Sequence, residues 1–297
     1  MAFVPVLHSV SYAGVWPGQA LLSLEQFLDK AAELGYAGVM LMAKRPHLSV
    51  LDYSEEACRR LRARLEDRGL RCHVIAGYNN FTADREHGDV PQGEIQIHYV
   101  TELARRARAL GAGIVRIFTG YEHPGLPYAT AWRLLIDTLR ECALRAAEFG
   151  VTLGVQNHHD LAAHYESQFD LICETGEPNC KAIFDAWAPA LHGTDLVKAA
   201  QKMAPITCHT TAADYQKRPR FRYRPGVVNY EEDAAWIQAV PMGEGFIDYS
   251  GFLQAMKKGG YQGAVAYEMC SPLPGGGVMD NLDRYARRFL EFLRANE

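Results

Sequence analysis

Four residues that could bind a metal ion or transfer a proton close short apolar runs in the second half of the sequence. They are Gln156 after TLGV, Asp185 after KAIF, His209 after ITC and Glu268 after GAVAY. Such runs are typical of buried strands, and carboxylate, imidazole and amide groups can bind Mn²⁺, Mg²⁺, Co²⁺ or Zn²⁺. If the runs are neighbouring strands, the sequence predicts one divalent metal ion bound by these four side chains.

Strand and helix patterns alternate along the chain, and this alternation decides where the strand ends lie. Eight apolar runs are each followed by an amphipathic helical pattern, and Ser23 with Gln26 has capping-box spacing at the first helix. Eight such units predict a single-domain (β/α)8 TIM barrel over residues 1–297, with the strand ends on the face that carries active sites. Long loops on that face are expected at about 77–93 and 210–247.

Other residues close to these strand ends could contact a substrate at the barrel mouth. His47 follows the second predicted strand, Asn157 and His158 follow the fifth, and Trp187 follows the sixth. Histidine titrates near neutral pH, so His158 is a candidate acid or base, and the other three are candidates for substrate binding. Arg116 lies inside the predicted strand GIVRIF, where a buried charge needs a partner, so it could be structural or could bind the substrate.

The composition argues against two classes of partner. A net charge of −4 and a pI of about 6.3 give no electrostatic reason to expect nucleic-acid binding, and no apolar run reaches the length of a membrane span. The N-terminus lacks a signal-peptide pattern, and the seven cysteines have no paired spacing and are expected to be reduced. These features predict a cytoplasmic protein that acts on a small molecule.

Several motifs resemble those of the xylose-isomerase-like TIM-barrel superfamily, which includes sugar isomerases and epimerases and shares its fold with AP endonuclease family 2. The most specific are ELGYAGVML, GVQNHHD, FDAWAPALHG and GEGFIDYSGFLQAMKKGGYQGAVAYE, and the resemblance covers nearly the whole chain. It implies a divalent metal ion held by residues after strands five to eight, at positions Gln156, Asp185, His209 and Glu268. It also implies a carbohydrate substrate, and it leaves a homo-oligomer open.

Gln156 departs from the family pattern, which has a glutamate at this position. The resemblance implies that the glutamates after strands five and eight act as paired acid and base, and glutamine cannot transfer a proton at neutral pH. Glutamine can still offer an amide oxygen to a hard cation. A reaction with one base therefore gains support over epimerisation with two, with Glu268 as the base and His158 as an acid.

The leading hypothesis is a metal-dependent sugar isomerase or epimerase that removes a proton next to a carbonyl of a sugar or cyclitol. One alternative is a metal-dependent lyase or dehydratase that acts by elimination on a keto-sugar, a 3-keto-glycoside or an inosose. A second alternative is a sugar-binding protein without activity. DNA repair is disfavoured, because the related endonucleases need three metal ions and this chain offers ligands for about one.

Overall fold

The computed structural model describes residues 3–83 and 87–296, and in this part of the chain eight parallel strands close a barrel. These strands are β1 (Val4–His8), β2 (Gly38–Met42), β3 (Arg71–Ala76), β4 (Ile114–Ile117), β5 (Thr152–Gln156), β6 (Cys180–Ile183), β7 (Thr207–Ala212) and β10 (Ala264–Tyr267). They follow chain order around the barrel, and β10 pairs with β1 to close it. The predicted single-domain TIM barrel is confirmed.

Helices connect the strands and surround the barrel. They are α1 (Leu24–Leu34), α2 (Glu55–Asp67), α3 (Gln92–Leu110), α4 (Tyr128–Ala147), α5 (Tyr165–Thr175), α6 (Trp187–Leu191), α7 (Leu196–Met203), α8 (Tyr249–Lys258) and α9 (Met279–Ala295). At the start of α1 the hydroxyl of Ser23 accepts from the Gln26 N–H, and the Gln26 side chain accepts from the Ser23 N–H, which is the predicted capping box. Gly35 ends α1 with φ +86°, a left-handed conformation that glycine adopts without strain.

Two apolar layers hold the barrel together. Inside it, alternate strand residues meet at the centre, and Val6, Met40, Val74 and Ile183 are fully buried there. The opposite face of each strand packs against the helices, where Phe27 of α1 is also fully buried. The interior is therefore a solid core, and polar side chains are left for the two ends of the strands.

The two segments for which the sequence predicts long loops differ in structure. Within 77–93, the described residues before α3 are irregular, and residues 84–86 lie outside the described part of the chain. Most of 210–247 forms an antiparallel hairpin of β8 (Asp214–Arg224) and β9 (Asn229–Val240). The alternation of charged and aromatic residues in RFRYR is therefore that of an exposed strand, with Arg222 paired opposite Glu231.

A carboxylate closes the base of this hairpin by joining the start of β8 to the segment after β9. The Oδ2 atom of Asp214 accepts from the backbone N–H groups of Gly243 and Gly245, each at 2.9 Å. A Cβ on Gly245 would lie 1.9 Å from Asp214 Oδ1, so only glycine fits there. The GEG sequence at 243–245 thus serves to anchor the hairpin.

No helix among the described residues is long and apolar enough to cross a membrane.

Replacing Gly38 with alanine should destabilise the barrel by about 1–3 kcal/mol, the usual cost of overpacking a core. The new Cβ would lie 2.7 Å from the carbonyl oxygen of Arg71 and 2.4 Å from Cδ2 of His73, both on the neighbouring strand β3. Chemical denaturation measures the loss. Gly113→Ala is the matched control, because nothing lies within 4 Å of its Cβ, and equal stability of the two variants would contradict the prediction.

Candidate functional site

A cavity opens at the mouth of the barrel, at the carboxyl ends of the strands. One wall is polar and contains Gln156, Asp185, Thr211, Glu268 and His158. The other wall is aromatic and is formed by Trp187, Tyr215 and Tyr249. A polar wall facing aromatic rings can hydrogen-bond the hydroxyl groups of a small polar molecule and stack on its apolar face.

Asp185 is held by short hydrogen bonds on both of its oxygens. Oδ1 accepts from the Thr211 N–H at 2.6 Å, and Oδ2 accepts from the Thr211 hydroxyl at 2.8 Å and from Gln156 Nε2 at 2.5 Å. Burial and the nearby charge of Glu268 raise the pKa of Asp185 to about 6, although these hydrogen bonds oppose the rise. Asp185 is thus a rigid member of the cavity wall.

The side-chain amide of Asn157 is fully used in hydrogen bonds to the backbone next to the cavity. Its Oδ1 accepts from the Asp185 N–H at 2.8 Å, and its Nδ2 donates to the Asp185 carbonyl at 2.9 Å. Both ends of the buried amide are therefore used in joining β5 to the residue after β6. This position does not support the predicted role of Asn157 in substrate binding.

Arg116 decides which way the amide of Gln156 points. The guanidinium Nη1 donates to Gln156 Oε1 at 2.8 Å, and because arginine has no acceptor the atom that faces it must be the oxygen. The amide nitrogen is consequently turned towards the two carboxylates, at 2.5 Å from Asp185 Oδ2 and 3.4 Å from Glu268 Oε2. Gln156 presents donors, not a metal-binding oxygen, to Asp185 and Glu268.

Glu268 is the carboxylate that is more weakly held and more accessible. Its hydrogen bond from Gln156 is long at 3.4 Å, and His8 Nε2 lies 3.5 Å from its Oε1. The side chain keeps 16% of its surface exposed towards the mouth. Burial raises the pKa of Glu268, but His8 and Arg116 outweigh that effect and bring the pKa below its ordinary value, so the group is ionised near neutral pH.

His8 faces Glu268 in a defined tautomer. Its Nδ1 accepts from the Val10 N–H at 3.1 Å, so the neutral ring carries its proton on Nε2, the atom near Glu268. Burial lowers the pKa of His8 to about 4, which keeps the ring neutral. The sequence offered a signal for His8, because it closes the apolar run VPVL just as the four predicted residues close theirs.

His209 lies within the barrel, below the cavity wall. It is almost completely buried, and its Nε2 has no hydrogen-bond partner among the described residues. Burial and the neighbouring His73 lower the pKa of His209 to about 3, so it is neutral. His209 does not line the cavity.

The predicted metal ligands do not form a metal site as the side chains are arranged. Among the described residues, no three His, Cys, Asp or Glu side chains are grouped so that they could hold a metal ion. Gln156 directs its amide nitrogen at the carboxylates, and both oxygens of Asp185 already accept hydrogen bonds from protein groups. The donor set therefore does not fit a divalent ion. Gln156, Asp185 and Glu268 lie at the predicted end of the barrel, whereas His209 is the third residue of β7 and lies deeper inside, so its predicted strand-end position is wrong.

Of the remaining predicted residues, two line the cavity and one does not. Trp187 and His158 line it, with His158 exposed at the mouth and its ring centroid 4.8 Å from that of Phe118. His47 is buried away from it, with Nε2 3.1 Å from the Leu22 carbonyl oxygen and its ring stacked on Phe27. That position does not support the predicted role of His47 in substrate binding.

Several residues that line the cavity were not predicted, and among them Thr211, Tyr215 and Tyr249 shape its walls. Thr211 braces Asp185, and Tyr215 at the base of the hairpin stacks on Trp187 with ring centroids 4.0 Å apart. Thr211 lies two residues after His209, and the period of a strand puts it on the same face, which is the signal that could have identified it. Tyr215 had no such signal, since it lies in a predicted loop.

The chain matches known proteins over almost its full length. Residues 28–296 match the family model described as a xylose isomerase-like TIM barrel. A search of curated protein sequences returns no match.

Similar solved structures include IOLI protein with a bound zinc atom, at 14% identity and a TM-score of 0.76 over 100% of this chain and 99% of that one. D-psicose 3-epimerase from Clostridium cellulolyticum H10 with D-tagatose is 16% identical, with a TM-score of 0.74 over 99% of both chains. The probable 3-DHS dehydratase AsbF from Bacillus anthracis is 17% identical, with a TM-score of 0.73 over 99% of both chains. At these identities the likeness shows the fold.

Replacing Thr211 with valine should raise the pKa of Asp185 above its value of about 6. The variant loses the hydroxyl that donates to Asp185 Oδ2, and a hydrogen bond to the ionised form lowers a carboxyl pKa. A ¹³C NMR titration of the carboxyl carbon measures it. Thr210→Val is the control, because the buried Thr210 hydroxyl has no partner among the described residues, and equal pKa values in the two variants would contradict the prediction.

Proposed function

We propose a function from one premise: the chain belongs to the xylose isomerase-like TIM barrel family. Solved structures with the same fold include epimerases and a dehydratase, which supports an enzyme in general terms. The proposed activity is removal of a proton from the carbon next to a carbonyl group of a sugar or cyclitol. Glu268 is the proposed base.

The observation that carries this proposal is the difference between the two carboxylates at the mouth. Asp185 accepts three hydrogen bonds of 2.8 Å or less, whereas Gln156 and His8 lie 3.4 and 3.5 Å from the oxygens of Glu268, and its side chain remains accessible from the cavity. A general base needs a carboxylate oxygen that is ionised, positioned and free to meet a substrate proton. Glu268 meets these conditions and Asp185 does not.

Two histidines support the proposed chemistry in different ways. His8 Nε2 lies 3.5 Å from the Oε1 atom of Glu268 without a hydrogen bond, and its role is to help keep the pKa of that carboxyl low. His158 accepts from the His159 N–H through Nδ1 at 3.0 Å, so its neutral ring carries the proton on Nε2. From its place in the cavity wall, His158 can donate that proton to a substrate oxygen as negative charge develops there.

A single base limits the outcome of the reaction. Glu268 takes the proton from carbon, the carbonyl oxygen gains charge, and an enediol forms when His158 protonates that oxygen. Glu268 can return its proton to the adjacent carbon on the same face, which is aldose–ketose isomerisation, or give it to an oxygen that departs from the next carbon, which is elimination. In both cases the enediol hydroxyl that becomes the carbonyl of the product returns its proton to His158, which restores the neutral ring. Inversion of a stereocentre needs a second proton donor on the other face, and Gln156 cannot act as one.

The divalent metal ion predicted from the sequence stays a prediction. Zinc in the IOLI structure supports it by likeness of fold, whereas the side-chain arrangement of Gln156 and Asp185 argues against it. No step of the proposed reaction is therefore assigned to a metal ion, whether Mn²⁺, Mg²⁺, Co²⁺ or Zn²⁺.

The other partners of the chain also stay predictions. A carbohydrate substrate agrees with the aromatic wall and with the sugar named in the D-psicose 3-epimerase structure. A cytoplasmic location and the absence of nucleic acid among its partners rest on the sequence alone. A homo-oligomer is left open, and the hairpin offers a surface for it, because Phe221 and Tyr230 are 64% and 65% exposed.

Replacing Glu268 with glutamine should lower the rate of proton exchange at the substrate carbon by about 10²–10⁴-fold, the usual contribution of a general base. The measurement incubates the enzyme in deuterated water with a panel of ketoses, inososes and 3-keto-glucosides and follows loss of the C–H signal by NMR. Glu232→Gln, on the exposed hairpin, is the control and should exchange at the wild-type rate. If Glu268→Gln exchanged as fast as the wild type, Glu268 would not be the base.

The same incubation separates the two one-base reactions. Isomerisation gives a rearranged sugar that carries one solvent deuterium, whereas elimination gives an unsaturated ketone and a released alcohol or water. Inversion at the deuterated carbon with retention of the carbonyl position would contradict a one-base reaction. A protein that binds these sugars tightly but exchanges no proton would be a sugar-binding protein.

A further inference from the structure

We propose that the guanidinium of Arg116, acting through Gln156, replaces the divalent metal ion as the positive charge of this site. The proposal rests on the proposed function, since it names the group that stabilises the negative charge formed when Glu268 takes a proton. It follows from the donors and acceptors around Arg116 and Gln156.

Arg116 lies buried inside the barrel, between small residues of the two neighbouring strands. It occupies the third position of β4, and the register of the parallel strands places Ala76 on one side and Gly154 on the other. The space next to Gly154 is filled by Ile183, whose Cδ1 would lie 2.7 Å from a Cβ there. Arg116 is only 1% exposed, and it is the largest fully buried side chain among the described residues.

The surroundings of the guanidinium hold it in place and leave two of its nitrogen donors without a hydrogen-bond partner. Its carbon lies 4.0 Å from the centroid of the Phe118 ring and 4.9 Å from that of Tyr78, so aromatic faces stabilise the cation. No carboxylate forms an ion pair with it among the described residues, and Nε and Nη2 have no hydrogen-bond partner there. Burying a charged group whose donors lack partners costs free energy, and binding of an anionic group nearby would offset that cost.

Gln156 transmits this charge to the carboxylates. Its amide accepts from Arg116 at one end and donates to Asp185 at the other, so the carbonyl is polarised by the cation and the N–H groups become better donors. The chain of bonds runs from guanidinium to amide to carboxylate without a break. A glutamate at position 156 would instead add a third negative charge beside Asp185 and Glu268.

A metal ion between the carboxylates is incompatible with this arrangement. To coordinate it, Gln156 would have to turn its oxygen towards Asp185, and its NH₂ group would then face Arg116 Nη1, donor against donor. The ion would also have to displace the hydrogen bonds from Thr211 to Asp185 or share oxygens already in use. In addition, its positive charge would lie in a buried site that already holds the guanidinium of Arg116, whose charge acts on Glu268.

The direct test titrates the wild-type protein with Mn²⁺ alone, after treatment with EDTA and its removal, and measures free Mn²⁺ by electron paramagnetic resonance. The proposal predicts no bound Mn²⁺ at a one-to-one ratio below about 1 mM, where binding would be worth roughly 4 kcal/mol. Stoichiometric binding at micromolar Mn²⁺ that Asp185→Ala removes would overturn the proposal. This test needs no substrate and no folded Arg116 variant.

A second measurement follows proton exchange in deuterated water before and after EDTA. The proposal predicts an unchanged rate, and a rate that is lost with EDTA and restored by Mn²⁺ would overturn it. If no exchange occurs before EDTA, the proposed function fails, while the Mn²⁺ titration still decides the present proposal.

Variants of Arg116 test the charge itself. Arg116→Met should lower the exchange rate by about 10²–10³-fold, the usual loss for a preorganised electrostatic group, and Arg116→Lys should recover part of it. Arg108→Met removes an exposed guanidinium from α3 and should leave the rate unchanged. Full activity in folded Arg116→Met, judged by circular dichroism and melting temperature, would overturn the proposal.

Discussion

The hydrogen bond from Arg116 to Gln156 sets the character of the whole site. Arginine can only donate, so the amide oxygen must face it and the amide nitrogen must face the carboxylates. Asp185 is then engaged on both oxygens, which leaves Glu268 as the carboxylate available to a substrate. The fixed donor Arg116 is thus the reason that Asp185 and Glu268, which both follow barrel strands, have different roles.

The division of roles is also electrostatic. Asp185 lies in the more enclosed position, and burial together with the charge of Glu268 raises its pKa, while His8 and Arg116 keep the pKa of Glu268 low. Two carboxylates whose pKa values are pushed in opposite directions by their surroundings are a common arrangement where one residue accepts a proton and the other does not. His8 is part of the same arrangement, because the Val10 N–H donates to its Nδ1 and so fixes the tautomer of the ring beside Glu268.

Much of the architecture could be predicted from the sequence, because alternating strand and helix patterns and glycines after helices are local signals. The strand-end positions of Gln156, Asp185 and Glu268 follow from the same rule, whereas His209 lies inside β7, because the strand continues through the polar residues Thr210 and Thr211. The direction of Arg116 could not be predicted, because both faces of a barrel strand are buried and the period of β4 does not say which face looks inward. The orientation of the Gln156 amide depends on the side chain of Arg116, so it could not be predicted from the sequence either.

Three other features depend on contacts that are distant in sequence. His47 follows a strand end as expected, yet the turn that carries it directs the ring at Leu22 and Phe27. The stretch RFRYR alternates as either a strand or an extended loop would, and only its pairing with β9 makes it a strand. Tyr215 enters the cavity wall because Asp214 fixes the base of that hairpin.

The orientation of the Gln156 amide is the central claim, and neutron diffraction from a crystal exchanged into deuterated water measures it directly. Deuterons scatter strongly, so the two amide deuterons identify the nitrogen without inference from hydrogen-bond partners. The account predicts that they lie on the atom facing Asp185 and that a deuteron of Arg116 points at the other atom. Amide deuterons on the side of Arg116, with the oxygen directed at Asp185 and Glu268, would contradict it.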